Sequence, residues 1–415
     1  MSNATPPFRW QSVALPAFLP TLLFSIGEGA IIPIIPIVAD SLGASLALAG
    51  LIAAMIMVGE LMGDIPSGWL VSRIGERTAM IGASLVAVVG LVLASYAPNT
   101  WILGVGVLLI GIATATFALA RHAFMTTYVP QAYRARALSS LGGTFRLGYF
   151  IGPFIAAGVI QLTGSTTAVF WIHIAGCVGA AVVLLSLKDP SATIGARHAA
   201  RALRTPGEEF VAEQAHGLFH TMWTNRGVLT KLGTGAALIG ALRASRAVIL
   251  PLWAVSIGIG DASTAVIIGI AGGIDFALFY VSGQVMDRFG RLWAALPSML
   301  GLAIGHLTLA FSHDLPDNVV WFITVAMFLS VANGFGSGIL MTLGADLADK
   351  NNPAPFLGAW RFTGDLGGAS APLLVAAVTA VASISLASGV MGVLGLVGAG
   401  ILLRYVPRYL PRSKP

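Results

Sequence analysis

The chain has 415 residues, of which 56% are apolar and only 10% carry a charge. Soluble domains carry about a quarter charged residues, so a mean hydropathy of +0.86 over the whole length excludes a soluble protein of any fold. The net charge of +6 would suit a nucleic-acid partner, but the basic residues are placed for a bilayer instead.

Apolar stretches long enough to cross a membrane are predicted at 13–38, 47–71, 78–97, 100–128, 137–163 and 166–187. A polar stretch, 188–226, follows. Six further spans are predicted at 229–258, 262–286, 291–312, 319–347, 354–380 and 383–405. The 50 Gly and 21 Pro sit inside these apolar runs, where membrane helices tolerate them. The opening residues lack a basic region and a small-residue cleavage site, so the first span is expected to be retained. The single cysteine, Cys177, lies within a span, which leaves no disulfide framework and no thiolate metal site. No metal or cofactor is expected.

Eighteen of the 23 Lys and Arg fall on one side of the spans if the N-terminus is cytoplasmic. The opposite loops, around Asp40, Asn99, Gly164, Asp261, Asp314 and Ser383, hold none. Basic residues concentrate on the cytoplasmic side of membrane proteins, so both termini and the 188–226 linker are expected there. Glu208, Glu209 and Glu213 among Phe210, Val211, Phe219 and Trp223 leave two readings open for the linker: a surface amphipathic helix or a solvated tether.

Displaced by 215 residues, the chain meets itself. Pro36 falls on Pro251, Gly43 on Gly258, Glu60 on Asp275, Gly68 on Gly283, Arg73 on Arg288 and Gly75 on Gly290. Two parallel six-helix halves, 1–187 and 227–415, give a transporter one central site between rocking units.

At the end of the eighth span, Gly283-Gln-Val-Met-Asp287-Arg288-Phe-Gly290-Arg291 resembles the G-x-x-x-D-R-x-G-R signature of the major facilitator superfamily. After the second span, Gly68-Trp-Leu-Val-Ser72-Arg73-Ile-Gly75-Glu76-Arg77 is a degraded copy, with serine for the aspartate and glutamate for the first arginine. The resemblance implies an all-α membrane protein of 12 transmembrane helices in two pseudo-symmetric halves, the major facilitator fold. It also implies a cytoplasmic gate at Gly68, Arg73, Gly75, Gly283, Asp287, Arg288, Gly290 and Arg291. There glycine permits close helix approach, and the aspartate caps a helix or pairs with arginine. In the fifth span, Gly148, Gly152 and Pro153 are similar to the helix 5 motif of drug:proton antiporters, which export solutes. The arginine those antiporters carry in helix 4, near Val107, is missing.

Ionisable groups at bilayer depth are functional hypotheses. Glu60 and Asp64 stand one turn apart on one face of the second span, and Glu28 lies mid-way along the first. Burial and a like-charged neighbour are what let a carboxylate load and unload a proton near neutral pH. Glu28, Glu60, Asp64 and Asp275 are therefore the candidate proton carriers. The five remaining arginines lie within spans: Arg121, Arg146, Arg243, Arg246 and Arg361. With Asp365, Tyr149 and Trp253 they are candidates for lining a substrate cavity. Asp275 is the expected partner of Arg243 and Arg246, and Arg361 can pair with Asp365 one turn away. Unpaired arginines would favour an anionic or zwitterionic substrate, and fully paired ones a cationic or neutral amphiphile. His306 reads as a packed, hydrogen-bonded residue, and Asn333–Gly338 as tight helix packing.

No nucleophile elbow, zincin helix or nucleotide loop is present, so neither an enzyme nor ATP coupling is expected. The leading expectation is a proton-coupled exporter of small organic molecules. It would be a monomeric multidrug-type antiporter of the cell membrane, with protons, substrate and lipid as its partners. A proton-linked importer of an organic anion and a lysolipid flippase remain alternatives.

Overall fold

The computed structural model describes residues 14–129, 131–186, 218–348 and 354–410. Among these residues there is no strand, and twelve helices are long and apolar enough to cross a membrane. Each stands where a span was expected. The first, α1, runs Leu19–Ile31, breaks at Pro33 and resumes over Ile35–Ser41. The first half continues as α2 (Leu46–Ile74), α3 (Glu76–Ser95), α4 (Thr100–Tyr128), α5 (Gln131–Thr163) and α6 (Phe170–Ser186). The second comprises α7 (Thr234–Ser256), α8 (Asp261–Phe289), α9 (Leu292–Ser312), α10, α11 (Ala354–Val381) and α12 (Ile384–Tyr409). α10 is broken, running Asn318–Phe335 and resuming over Ile339–Leu347. The linker segment with Glu208, Phe210, Val211 and Glu213 lies outside the described residues. Beyond it a short helix, Leu218–Thr224, carries Trp223 at the surface with the Arg226 guanidinium 4.7 Å from its ring.

Local chemistry sets the helix boundaries. Ser45, Asn99 and Ser383 accept hydrogen bonds from Leu48, Ile102 and Leu386 backbone N–H groups, capping α2, α4 and α12 at the end that bears Asp40 and Asp314. The internal repeat is written into the backbone. Gly43 and Gly258 adopt φ of 82° and 74° ahead of α2 and α8, and Gly75 and Gly290 adopt 82° and 95° behind them. All four lie where a side chain would be strained, and each pair is separated by the repeat length.

Packing repeats as well. α5 lies against α1, where a Cβ on Gly148 would come within 2.7 Å of the Ser25 carbonyl carbon and one on Gly152 within 2.6 Å of the Ala30 nitrogen. In the second half α11 lies against α7, with Gly367 equally tight on the Ala237 backbone. Small residues let membrane helices approach this closely. Gly152→Leu is therefore expected to destabilise the protein by about 3 kcal/mol, since backbone on the opposing helix cannot give way as a side chain can. Gly158→Leu, where an added Cβ meets nothing within 4 Å, is the matched control. Thermal melting in detergent distinguishes them, and equal melting temperatures would reject the packing argument.

Between the halves, α2 packs on α11 and α5 on α8. The end bearing Asp40 is closed: Ile34–Ala39 of α1 and Leu250–Ala254 of α7 are buried, and Gly50 of α2 faces Leu252 at 3.0 Å from its would-be Cβ. The opposite end, which bears Arg73 and Arg288, is looser. Gly283 was expected to permit close approach of another helix, but nothing lies within 4 Å of its would-be Cβ. The reason is that α8 meets the α10 break through the adjacent Ser282, which donates to the Phe335 carbonyl at 2.7 Å, and not through Gly283.

Candidate functional site

Helix irregularities coincide with the centre of the molecule. Pro33 at the α1 break, Pro153 in α5 and Pro251 in α7 border a cavity of about 460 Å³ between the halves. Its walls come from α1, α2, α4 and α5 on one side and α7, α8 and α10 on the other. That volume lies within the range of small-molecule sites, and the lining is mostly apolar with convergent polar groups. Phe24 and Phe117 stack at 4.4 Å, and Phe145 and Tyr149 tilt together at 4.6 Å.

The first-half wall is acidic. Glu28 is 0% exposed, accepts a hydrogen bond from the Thr114 hydroxyl at 3.1 Å and lies against the Tyr149 hydroxyl. Arg121 lies within electrostatic reach of Glu28 and rests over the Phe145 ring at 4.8 Å. It forms no salt bridge among the described residues, and its Nε is buried without a partner. Glu60 of α2 lines the same wall, within electrostatic reach of Glu28, Asp64, Asp365 and Arg361.

The facing wall is basic. Asp275 of α8 accepts from Arg246 Nη2 at 3.1 Å and from Asn333 Nδ2 at 2.6 Å, both on Oδ2, and its Oδ1 is 4.0 Å from Arg146 Nη1 of α5. This carboxylate therefore spans the two halves. Arg246 also donates to the Ser330 hydroxyl at 2.7 Å, and Arg146 rests over Phe279 at 4.7 Å. Arg243 was an expected partner of Asp275. It donates instead to the Gly336 carbonyl, which the α10 break turns toward it.

Of the sequence-derived candidates, Glu28, Glu60, Asp275, Arg121, Arg146, Arg243, Arg246, Tyr149 and Pro153 meet at this cavity. Asp64, Arg361 and Asp365 lie outside its lining. Arg361 bonds Asp64 across the halves at 3.1 Å as well as Asp365 at 3.3 Å, so it does more than pair within α11. Trp253 was expected at the cavity but is 0% exposed in the closed end, packed edge-on to His313 at 5.2 Å. Gly148 and Gly152 serve the α1–α5 contact. His306 is buried and bonded to Leu302 and Ser245, as a packed residue would be.

At the signature, Asp287 is 85% exposed in its side chain and touches only Arg291, at 3.8 Å, among the described residues. The carboxylate that engages the signature is Asp346, which takes Arg291 bidentately at 2.7 and 3.3 Å. In the degraded copy Arg73 rests on Trp69 at 5.0 Å, and Arg77 donates to the Leu184 carbonyl at 2.8 Å, tying α3 to α6. Sequence reasoning missed Thr114 and Ser330, and read Asn333 only as part of tight helix packing, whereas it donates to Asp275. The one available signal was a polar side chain on the apolar face of a span, which many buried serines and threonines share by bonding their own helix.

Twelve membrane-length helices in two bundles with a charged cavity between them are the architecture of a membrane transporter. The model of the Major Facilitator Superfamily matches residues 17–372, and the chain belongs to that family. It is a multi-pass membrane transporter of small-molecule substrates, not an enzyme. The chain is 25% identical over 368 residues to the tetracycline resistance protein, class H, of Pasteurella multocida, covering 86% of each. It is also 25% identical over 303 residues to the class B protein of Escherichia coli, covering 71% of this chain and 72% of that one. Among solved structures it is similar to the partially occluded inward-open conformation of the xylose transporter XylE from E. coli, with a TM-score of 0.73 and 15% identity. That match covers 98% of this chain and 99% of the other.

Proposed function

We propose that the protein is a proton-driven exporter of small organic molecules, an antiporter of the drug and metabolite efflux kind. The observation that carries this reading is the pair of cavity carboxylates, Glu28 and Glu60. Glu28 is wholly buried beside Thr114, Tyr149 and an Arg121 that forms no salt bridge with it. Glu60 has neither a salt bridge nor a hydrogen bond among the described residues, and a buried charge so weakly paired is costly. A proton taken up there removes that cost, so loading the wall with a proton or with substrate changes which arrangement of the halves is favoured. In this reading 1–187 and 227–415 rock about the cavity as units joined by 188–226. Both termini face the cytoplasm and a monomer acts in the cell membrane. The Asp64–Arg361 and Asp275–Arg146 bridges hold the arrangement seen here and break when the halves exchange. The tetracycline resistance relatives, matched over 368 and 303 residues, support a drug-type reading; the galactose-proton symporter of E. coli matches over 149 residues.

The test is accumulation of one cationic and one anionic fluorescent dye in cells expressing the protein, with an empty-vector control. Accumulation should fall for at least one dye, and a protonophore should abolish the difference. Accumulation that rises instead would reject export in favour of proton-linked uptake.

A further inference from the structure

We propose that the α5–α7–α8 side of the cavity is an anion-binding subsite, so that the transported molecule carries a carboxylate, or a similarly compact anionic group, on an apolar body. This deepens the proposed function and rests on the cavity being the transport site.

The inference comes from charge and hydrogen-bond accounting at one wall. Arg146, Arg243 and Arg246 line the cavity together, and Asp275 is the one carboxylate lining that wall among the described residues. Its Oδ2 is already taken by Arg246 and Asn333, and its Oδ1 reaches Arg146 only at 4.0 Å. Arg243 has no salt bridge among the described residues. The Nε groups of Arg243 and Arg246 are buried without a hydrogen-bond partner, and so are Asp275 Oδ1 and Asn333 Oδ1, so what this wall has in excess is positive charge and not unpaired donors. Three guanidiniums that stay charged at any physiological pH thus face one carboxylate at bilayer depth. A cationic substrate would add to that excess, and a neutral one would leave it unbalanced.

An anion answers that excess. A carboxylate in the cavity lowers the net charge and offers lone pairs to the guanidinium groups that line it. Arginine is the side chain that takes such a group bidentately. The apolar body has a place too, since Phe145, Phe276 and Leu250 border the same cavity. The opposite wall holds Glu28 and Glu60 with Arg121, so four arginines and three carboxylates line the whole cavity and the positive excess sits on the Arg146, Arg243 and Arg246 side.

Three probes of one shape test this on the purified full-length chain by calorimetric titration: 2-naphthoate, 2-naphthamide and 2-naphthylmethylammonium. Naphthoate should bind at least about tenfold more tightly than the amide, and the ammonium more weakly than either, as expected when a charge-assisted pair is gained or opposed. Arg243→Gln should weaken naphthoate by about tenfold and leave the amide within about twofold, while Arg243→Lys keeps part of the preference. Arg146→Gln, on the other half, should show the same selective loss and guards against a folding defect in either single variant. Equal affinity for the three probes would overturn the inference, and so would tighter binding of the ammonium. Absence of naphthoate binding up to the millimolar range counts against it equally. So does a loss in Arg243→Gln that affects naphthoate and amide alike. Protonophore-sensitive dye export without anion preference overturns the subsite alone. Anion preference without protonophore-sensitive export keeps the subsite and overturns the export reading.

Discussion

Glu60→Gln is expected to abolish transport driven by a pH gradient while leaving substrate binding nearly unchanged. Glu60 lines the cavity within electrostatic reach of three other carboxylates, Glu28, Asp64 and Asp365, with Arg361 as the nearby cation. It has neither a salt bridge nor a hydrogen bond of its own among the described residues, unlike Asp64, which is held by Arg361. Glutamine copies the shape of the protonated acid but cannot release a proton, so it uncouples the driving force without removing a group that holds substrate. The expected fall in gradient-driven flux is on the order of a hundredfold, toward the upper end of typical coupling free energies between two sites. Exchange of labelled for unlabelled substrate without a gradient should continue, because it needs only the rocking of the halves. Glu28→Gln should act more mildly if Glu60 is the main carrier, since the amide oxygen can still accept from Thr114. Full gradient-driven flux in Glu60→Gln proteoliposomes would remove Glu60 from the mechanism. Loss of exchange together with driven flux would instead make its role structural.

The parts of the molecule that are legible in its sequence are those set by the bilayer. Unbroken apolar runs force helices, because backbone polar groups must be satisfied within the segment. That fixes all twelve spans and, with the repeat, their pairing. The glycines at positions 43, 75, 258 and 290 were visible as repeat partners, and the backbone shows why glycine sits there. The cavity was half legible. A charge inside a span is conspicuous, so Glu28, Glu60, Asp275 and all five span arginines could be named, and four of those arginines line the cavity. What could not be read is which charge meets which. Arg361 looked self-sufficient with Asp365, but α11 lies on α2 and brings Asp64 to it. Arg243 looked destined for Asp275, but the break in α10 presents a carbonyl. Trp253 shared the aromatic character of Phe24 and Phe117 but lies in the closed end, where the halves leave no cavity. Asp287 had the spacing of the signature, but its carboxylate is exposed and Arg291 pairs bidentately with Asp346, fifty-five residues away and so beyond any local motif.

Asp275→Asn should be among the most damaging single substitutions in the chain. Asp275 has a side chain only 13% exposed and stands among Arg146, Arg243 and Arg246, bonded to Arg246 and to Asn333. Removing its charge keeps the shape and one acceptor oxygen but leaves three guanidiniums at bilayer depth with no carboxylate on their wall. Breaking a buried ion pair from one side typically costs about 3–5 kcal/mol, because the partner charge is stranded. A melting temperature in detergent well below that of the parent protein is the expected reading. The decisive comparison is with Asp275→Asn/Arg246→Gln, which removes one stranded charge along with the carboxylate. If charge balance governs this wall, the double variant is more stable than the single one. If the Asp275 hydrogen bonds matter only as packing, the two losses add and the double variant is the worse of the two. Naphthoate provides a further reading on the same variants. An anion that occupies the arginine wall should stabilise Asp275→Asn by more than it stabilises the parent, because it replaces the charge that was removed.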